Sequence, residues 1–308
     1  MKRLSFLLLA GLLVSLSYQA KAQTISKEEL IFLTSEWKGE RFADGRPKIP
    51  DALIERAKKI GIEEAWQILN NEGYISQFEG NWKMAHDDVP VVGRAVTATF
   101  LPSRPDLLKN IQERGVKNGF NGATNAWPIQ VLQKGDVYVA NCFGKIDGGT
   151  MIGDNLGTTI FSKTGTGVIF DAAARDLKGL SSIEGFNVFA RDFHPSFLVN
   201  VVLTGLNTPT RIGGAIVLPG DLVISEREGV LFIPAHMVET VVATAEFITV
   251  RDAYSKVVLK SGKYTAGQID AEWTNEIRED FLKWLAANPS IGKMTRAELD
   301  GFMKNRTW

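Results

Sequence analysis

The chain has 308 residues, and its 35 lysines and arginines balance its 35 aspartates and glutamates. This balance gives no electrostatic case for nucleic acid or an anionic membrane as a partner. The single cysteine, Cys142, excludes an intrachain disulfide, and the three histidines are too widely spaced for a Cys/His metal cluster. A bound metal would therefore be held by carboxylates, which favours Mg²⁺ or Mn²⁺.

Residues 1–22 have the pattern of an export signal. Two basic residues precede the apolar run Leu4–Leu16, and Ala20 and Ala22 stand where a signal peptidase reads small residues. The apolar run is shorter than the roughly 20 residues of a spanning helix. The pattern predicts a signal peptide over residues 1–22 and a periplasmic or secreted protein with no membrane attachment after processing.

After this segment, apolar spacing predicts an irregular arm, a mixed domain and a polar tail. Helices are expected to begin at Lys27 and to cover residues 50–58, 60–73, 105–117, 155–163, 235–259 and 275–287. Strands are expected over residues 89–101, 137–143, 168–171, 187–191, 197–204, 215–218, 221–224 and 229–233. Predicted strands and helices alternate in the first part of this region, and strands dominate the later part. This order indicates a mixed α/β architecture. The tail is expected to expose its tryptophans, which are Trp273, Trp284 and Trp308.

The first candidate for chemistry is the turn Gly153-Asp154, which stands where a helix is predicted to begin. Asp154 is therefore either a helix N-cap or a functional carboxylate. Neighbouring glycines would let a ligand approach the backbone closely. Free N–H groups at Asn155, Leu156 and Gly157 would then form a site for a carboxylate.

The second candidate is the pair Arg175-Asp176, which follows the predicted strand 168–171 and three alanines. A strand end followed by small residues is a common place for an open cleft in α/β proteins. Asp176 could bind a hard divalent ion there, and Arg175 could pair with a substrate carboxylate or enolate. The alternative is an ordinary Arg–Asp pair on the surface.

A set of motifs in fixed order resembles the RraA-like family. They are GRAVT (93–97), GDVYVA (135–140), GGTMIGDNLGT (148–158), DAAARD (171–176), FNVFARDFHP (186–195), Gly213-Gly214 and PGDLVISEREGVLFIP (219–234). The resemblance covers residues 48–258. Residues 23–47 are left as an N-terminal arm and residues 259–308 as a C-terminal helical extension.

This resemblance implies a fold and an activity. The family includes the class II pyruvate aldolases called 4-hydroxy-4-methyl-2-oxoglutarate aldolases, which also decarboxylate oxaloacetate. The implied fold is a layered α/β/β/α sandwich of the swivelling-domain type, here with N- and C-terminal helical extensions. The implied assembly is a homotrimer or homohexamer with sites between subunits.

The resemblance also implies a role for each motif residue. Asp176 is expected to ligate Mg²⁺ or Mn²⁺, and Arg175 to contact the pyruvoyl oxygen and carboxylate and to steady the enolate. Asp154 is expected to orient a water on the metal for proton transfer. The substrate carboxylate is expected at the backbone of the turn, at Gly153, Asn155 and Leu156.

The sequence leaves two further contacts of the site open between candidate residues. An acidic side chain of a neighbouring subunit is expected near the metal, and Asp252 and Glu228 are equal candidates. Asn125 and Trp127 are candidates for contact with the distal end of the substrate, with core packing the preferred interpretation for Trp127.

The sequence thus predicts an exported, metal-dependent lyase that cleaves or decarboxylates a 2-oxo acid through a pyruvate enolate. No lysine Schiff base is required. One alternative is a non-catalytic binding or regulatory protein on the same scaffold, which the presence of Asp154, Arg175 and Asp176 disfavours. The other is a lyase or isomerase that acts on oxidised sugar derivatives by the same enolate chemistry.

Overall fold

The computed structural model describes residues 24–289 and 301–302. The predicted signal peptide and Trp308 lie outside these residues. Within the described part, no helix is both long and apolar enough to cross a membrane.

The helices largely follow the predicted spacing. In chain order they are α1 (Lys27–Leu33), α2 (Asp51–Ala57), α3 (Ile62–Asn71), α4 (Pro105–Lys117), α5 (Trp127–Val131), α6 (Asp154–Thr164), α7 (Leu177–Leu180), α8 (Val238–Lys260), α9 (Ala266–Asp270) and α10 (Asn275–Ala287). Helix α4 has proline in its first turn, and α10 begins after Thr274, whose side chain accepts from the N–H of Ile277. These local signals explain why both helices lie where they were predicted.

The strands differ more from prediction. In chain order they are β1 (Phe78–Glu79), β2 (Lys83–Met84), β3 (Gly93–Pro102), β4 (Asp136–Thr150), β5 (Val168–Ala174), β6 (Val188–Phe193), β7 (Val201–Leu206), β8 (Thr210–Ile212), β9 (Ala215–Val217), β10 (Leu222–Glu226) and β11 (Gly229–Ile233). Nine of them form one sheet in the order β1-β11-β10-β3-β4-β5-β6-β2, with β7 paired to β3, and β8 and β9 form a separate hairpin. The ladders β3–β4, β4–β5 and β5–β6 are parallel.

Alternating side chains divide the interior into three cores. On β10 and β11, Leu222 and Leu231 face the helices α2, α3, α8 and α10, whereas Val223 and Phe232 face inward. The inward residues pack against Ala95 and its neighbours on β4, β5 and β6. The opposite face of those strands packs under α4, α5, α6 and α7. The sheet therefore folds over itself between two helical layers, and the predicted α/β/β/α sandwich is confirmed.

Strand β4 runs past its predicted end at Phe143 and continues through Gly148-Gly149 to Thr150. Phe143, Gly144 and Gly148 have positive φ angles, and the ladder with β5 shifts register on both sides of Lys145. Between these paired positions β4 advances by four and then by five residues while β5 advances by one, so β4 leaves the ladder twice and rejoins it each time. The predicted end at Phe143 is wrong, because β4 pairs with β5 again at Lys145 and at Thr150.

The N-terminal arm is joined to the sheet by a buried charged cluster, which we call the arm cluster and define as Phe42, Arg46, Arg94 and Asp136. Arg46 Nη1 lies 3.3 Å from Asp136 Oδ2, and Arg94 Nε lies 3.5 Å from Asp136 Oδ1. Both guanidinium groups lie over the Phe42 ring, at 4.7 and 5.5 Å. Burial raises the pKa of the Asp136 carboxyl, although both arginines oppose the shift. The arm is therefore part of the packed structure.

The C-terminal extension is likewise part of a core. Trp273 is only 7% exposed, and its ring lies 5.5 Å from those of Tyr254 on α8 and Phe281 on α10. Trp284 is partly buried against the same group. The expectation that these two tryptophans are exposed is wrong, because α10 packs back on α8.

Candidate active site

The candidate site lies at the carboxyl ends of the parallel strands β4 and β5. The N–H of Met151 donates to Ala173, and the N–H of Arg175 donates to Ile152, so the two chains stay paired as they leave the sheet. Together they border a cavity of about 240 Å³. All six predicted site residues line it, namely Gly153, Asp154, Asn155, Leu156, Arg175 and Asp176.

The turn Gly153-Asp154 begins helix α6, with Gly153 as the N-cap and Asp154 as the first helical residue. Asp154 Oδ1 accepts from the N–H of Asn155 at 2.8 Å, and the N–H of Gly157 donates to the Gly153 carbonyl. The N-cap is Gly153 and not Asp154, so that interpretation is wrong by one residue. The N–H of Gly157 was expected to be free, but it is already hydrogen-bonded. A substrate carboxylate at Asn155 would share its N–H with Asp154.

The Asp176 carboxylate is placed by unusual backbone geometry. Asp176 has φ 58° and ψ 41°, a left-handed conformation that aspartate tolerates better than most residues, and it immediately precedes α7. Its Oδ2 lies 3.5 Å from Arg175 Nε. A Cβ atom on Gly153 would lie 2.1 Å from that oxygen. Only glycine at position 153 therefore leaves room for the carboxylate.

A second glycine makes room for the other carboxylate. A Cβ atom on Gly179, in α7, would lie 2.6 Å from Asp154 Oδ2. Each acidic side chain of the site thus lies against a glycine of the other segment. This reciprocal packing brings together two motifs that are twenty residues apart in the chain.

An aromatic residue that was not predicted completes the mouth of the cavity. The Arg175 guanidinium carbon lies 5.0 Å from the centre of the Phe197 ring, within the range of a cation–π contact. Phe197 and Leu198 both line the cavity. They were expected in a strand that begins at residue 197, but that strand begins at Val201. A phenylalanine among apolar residues gives no sequence signal for such a position.

The remaining candidates fall into two groups. Asn125 lines the cavity and donates through Nδ2 to the Met151 carbonyl at 2.6 Å, whereas Trp127 is buried in the core, as preferred. Glu228 lies in the turn between β10 and β11, and Asp252 lies on α8. Neither of these acidic residues lines the cavity of its own chain.

The donor set at the cavity suits a hydrated hard ion better than zinc. Among the described residues, no group of three or more histidines, cysteines, aspartates and glutamates is placed to hold a metal. Zinc sites need three or four such ligands, whereas Mg²⁺ keeps several waters and uses one or two carboxylates with substrate oxygens. Asp176, 42% exposed at its side chain, fits the second pattern.

Cys142 is not a nucleophile for this site. It is fully buried on β4, as the sequence indicated, and burial raises the pKa of its thiol to about 12. A thiol with such a pKa is protonated at neutral pH, and the thiolate is the reactive form.

The protein is an α/β sandwich with a cavity at the ends of two parallel strands. Its chain is similar to a known family. A family model described as RraA-like, Aldolase/RraA, matches residues 49–232. The chain therefore belongs to the RraA-like family.

A curated relative aligns with most of this chain. Protein DlpA of Legionella pneumophila is 26% identical over 250 residues, which are 80% of this chain and 36% of that protein. The chain thus spans little more than a third of the length of this curated relative.

Two crystal structures share the fold. Streptomyces coelicolor RraAS2, an unusual member of the RNase ES inhibitor RraA protein family, is 22% identical, with a TM-score of 0.59 over 68% of this chain and 98% of its own. An uncharacterized protein from Pseudomonas syringae pv. tomato is 19% identical, with the same TM-score over 73% of this chain and all of its own. At these identities the likeness concerns the fold alone.

Proposed function

We propose that this chain is a divalent-metal-dependent carbon–carbon lyase that cleaves or decarboxylates a 2-oxo acid through a pyruvate enolate. The supporting observation is the gathering of Asp154, Arg175 and Asp176 around one cavity at the start of a helix. A ligand there meets one guanidinium, two carboxylates and the N–H groups of a first helical turn. This is the set of groups that a 2-oxo acid needs for binding and for charge stabilisation.

Each residue has a distinct part in the proposed reaction. The N–H of Leu156 and the Arg175 guanidinium bind the carboxylate next to the 2-oxo group. When the bond between C3 and C4 breaks, its electron pair moves into the 2-oxo group, and Arg175 stabilises the enolate oxygen. In this proposal Asp154 directs the proton transfer, by orienting the water that takes the proton of the 4-hydroxyl group of an aldol substrate and returns one to C3 of the enolate.

Asp176 is the proposed ligand of Mg²⁺ or Mn²⁺, and the neighbouring Gly153 keeps the space beside its carboxylate open. When bound, such an ion supplies Lewis-acid stabilisation to the negative oxygen that forms. A homotrimer or homohexamer, in which Glu228 or Asp252 of a neighbouring subunit reaches this cavity, is part of the proposal. So is export to the periplasm or beyond.

The first test is pyruvate release. We expect the protein with Mg²⁺ or Mn²⁺ to release pyruvate from oxaloacetate or from a 4-hydroxy-2-oxo acid, and Asp176→Ala to lower kcat by about 10²- to 10³-fold. The matched control is Asp106→Ala, since Asp106 is an exposed aspartate that pairs with Arg104 and does not line the cavity. Activity that survives both chelation and Asp176→Ala would contradict the proposal. Metal binding at Asp176 without pyruvate release would favour the oxidised-sugar alternative.

A further inference from the structure

The Arg175 guanidinium is held by few contacts with the described part of its own chain. Its Nε lies 3.5 Å from Asp176 Oδ2, which is longer than the roughly 2.7–2.9 Å of a charge-assisted hydrogen bond. Its guanidinium carbon lies over the Phe197 ring, 5.0 Å from the ring centre. Its side chain donates no hydrogen bond to a described residue. The place of this guanidinium therefore depends on one weak ion pair and one ring.

Arg191, on the neighbouring strand β6, shows how a structural arginine of this sheet is held. It donates to two carboxylates at 2.6 Å each and to a backbone carbonyl at 2.8 Å. Its side chain is 16% exposed, against 36% for Arg175. Hydrogen bonds fix Arg191 and occupy its N–H groups, whereas those of Arg175 stay open to the cavity.

The Phe197 ring belongs to a segment that is attached to β4. Ser196 Oγ accepts from the N–H of Gly148 at 2.8 Å, and the Ser196 carbonyl accepts from Thr150 Oγ1 at 2.5 Å. The N–H of Val199 donates to the Gly148 carbonyl at 2.9 Å. The backbone on both sides of Phe197 is thus fixed, although the Phe197 side chain itself is 69% exposed.

The two contacts of Arg175 differ in what they leave free. The N–H donors of a guanidinium group lie in its plane, so a ring over its face leaves them available to a ligand. Asp176 is the proposed metal ligand, and a divalent ion bound there would offset the negative charge that attracts Arg175. The contact with Phe197 carries no such conflict, because the ring neither binds the ion nor uses the N–H groups.

We propose that Phe197 is a positioning residue, which orders Arg175 through a cation–π contact before the substrate binds. This proposal rests on the proposed function, in which Arg175 binds the carboxylate of a 2-oxo acid. A side chain that is already in place loses less conformational freedom when it binds its ligand. Without the ring, the substrate has to order Arg175 itself, and it binds more weakly.

Two replacements at Phe197 separate the ring from its apolar character. Phe197→Leu keeps an apolar side chain without a ring, and Phe197→Tyr restores a ring. Both should fold, because the side chain is largely exposed. Val199→Ala is the matched control, since Val199 is 47% exposed on the same segment and does not line the cavity.

The first test needs neither metal nor substrate. Phenylglyoxal modifies arginine side chains, and peptide mass spectrometry of the full chain gives the rate at Arg175 relative to the exposed Arg104. We expect Phe197→Leu to raise this relative rate about two- to fivefold, because the ring no longer covers and stabilises the guanidinium. Phe197→Tyr and Val199→Ala should leave it unchanged. An unchanged rate in Phe197→Leu, or an equal rise in either other variant, would overturn the proposal.

The second test measures the steady-state kinetics of pyruvate release with Mg²⁺, from oxaloacetate or 4-hydroxy-2-oxoglutarate and corrected for the spontaneous reaction. Since the substrate would have to order Arg175 on binding, we expect Phe197→Leu to raise KM about two- to fivefold at nearly unchanged kcat. Phe197→Tyr should restore KM.

The two tests distinguish this proposal from the proposed function. Pyruvate release with an unchanged KM in Phe197→Leu, with a lower kcat alone, or with a raised KM that Phe197→Tyr does not restore would overturn the positioning role and leave the lyase intact. The expected modification rates without pyruvate release from either compound would overturn the lyase and leave the contact between Phe197 and Arg175.

Discussion

The arm cluster and the candidate site each pair arginine with aspartate, and they differ in burial. In the arm cluster, the side chains of Arg46 and Asp136 are 1% and 0% exposed. At the candidate site, those of Arg175 and Asp176 are 36% and 42% exposed. The first cluster joins the arm to the sheet, whereas the second borders a cavity open to solvent.

The difference shows how to separate structural from functional charge. Asp136 is opposed by two guanidinium groups and accepts from the N–H of Gln133, so its charge is compensated within the protein. Asp176 has a left-handed backbone, one arginine at 3.5 Å and a glycine where a side chain would collide with it. Its position is fixed by the backbone, and its charge is accessible to a ligand.

The largest expected effect is on the arm cluster. Asp136→Ala leaves Arg46 and Arg94 buried with one fewer carboxylate, and we expect the free energy of unfolding to fall by about 3 kcal/mol. Asp176→Ala, at an exposed position, should change it by less than about 0.5 kcal/mol. Urea denaturation measures both. Equal losses in the two variants would remove the distinction between the clusters.

A second prediction concerns the carboxylate of Asp221, which is buried and forms no ion pair with a described residue. Asp221 accepts from the N–H of Leu218 at 2.8 Å, and burial raises the pKa of its carboxyl to about 7. The folded state therefore binds this proton more tightly than the unfolded state does. Its contribution to stability is full below about pH 4 and is lost as the pH rises to about 7.

We expect the free energy of unfolding to fall by about 2 kcal/mol more between pH 5 and pH 8 in the unsubstituted protein than in Asp221→Asn. Asparagine keeps an oxygen for the N–H of Leu218 and cannot ionise, which makes it the matched variant. Denaturation curves at the two pH values give the difference. Parallel pH profiles for the two proteins would show that Asp221 does not titrate in this range.

The smallest effect concerns the position of Asp176. Gly153→Ala should displace the carboxylate, because the added Cβ would lie 2.1 Å from its Oδ2, and lower kcat/KM for pyruvate release by about tenfold. The backbone at Gly153 has φ −119°, which alanine adopts freely, so stability should change little. Gly267→Ala in α9 is the control, since a Cβ there meets nothing within 4 Å. Unchanged activity in Gly153→Ala would mean that the carboxylate position is not important.

Elements with strong local signals could be predicted from the sequence. Helices α4 and α10 and strand β11 begin and end at the predicted residues, since proline, a threonine cap or a glycine marks each boundary. The hairpin strand β8 was missed, because its three residues include only one apolar side chain, whereas its partner β9 is an apolar run and was predicted. The tertiary contacts that bury Trp273 have no local signal either.

The residues of the candidate site also divide into those that the sequence predicts and those that it does not. Asp154, Arg175 and Asp176 belong to short motifs, and the sequence was sufficient to group them. Phe197 reaches the cavity through hydrogen bonds between Ser196 and β4, which join residues 46 and 48 positions apart in the chain. Contacts of that kind depend on the fold, so a single sequence does not contain a pattern for them.

The arm cluster also determines where the chain can be cut if this domain is recombined with that of a relative. The family match begins at residue 49, but Arg46 and Phe42 lie before it and supply a charge and a ring to the interior of the sheet. A fragment cut at the family boundary would leave Asp136 with Arg94 alone and open that end of the core to water. The unit that folds is therefore larger than the segment that the family model matches, and recombination between relatives must include the arm.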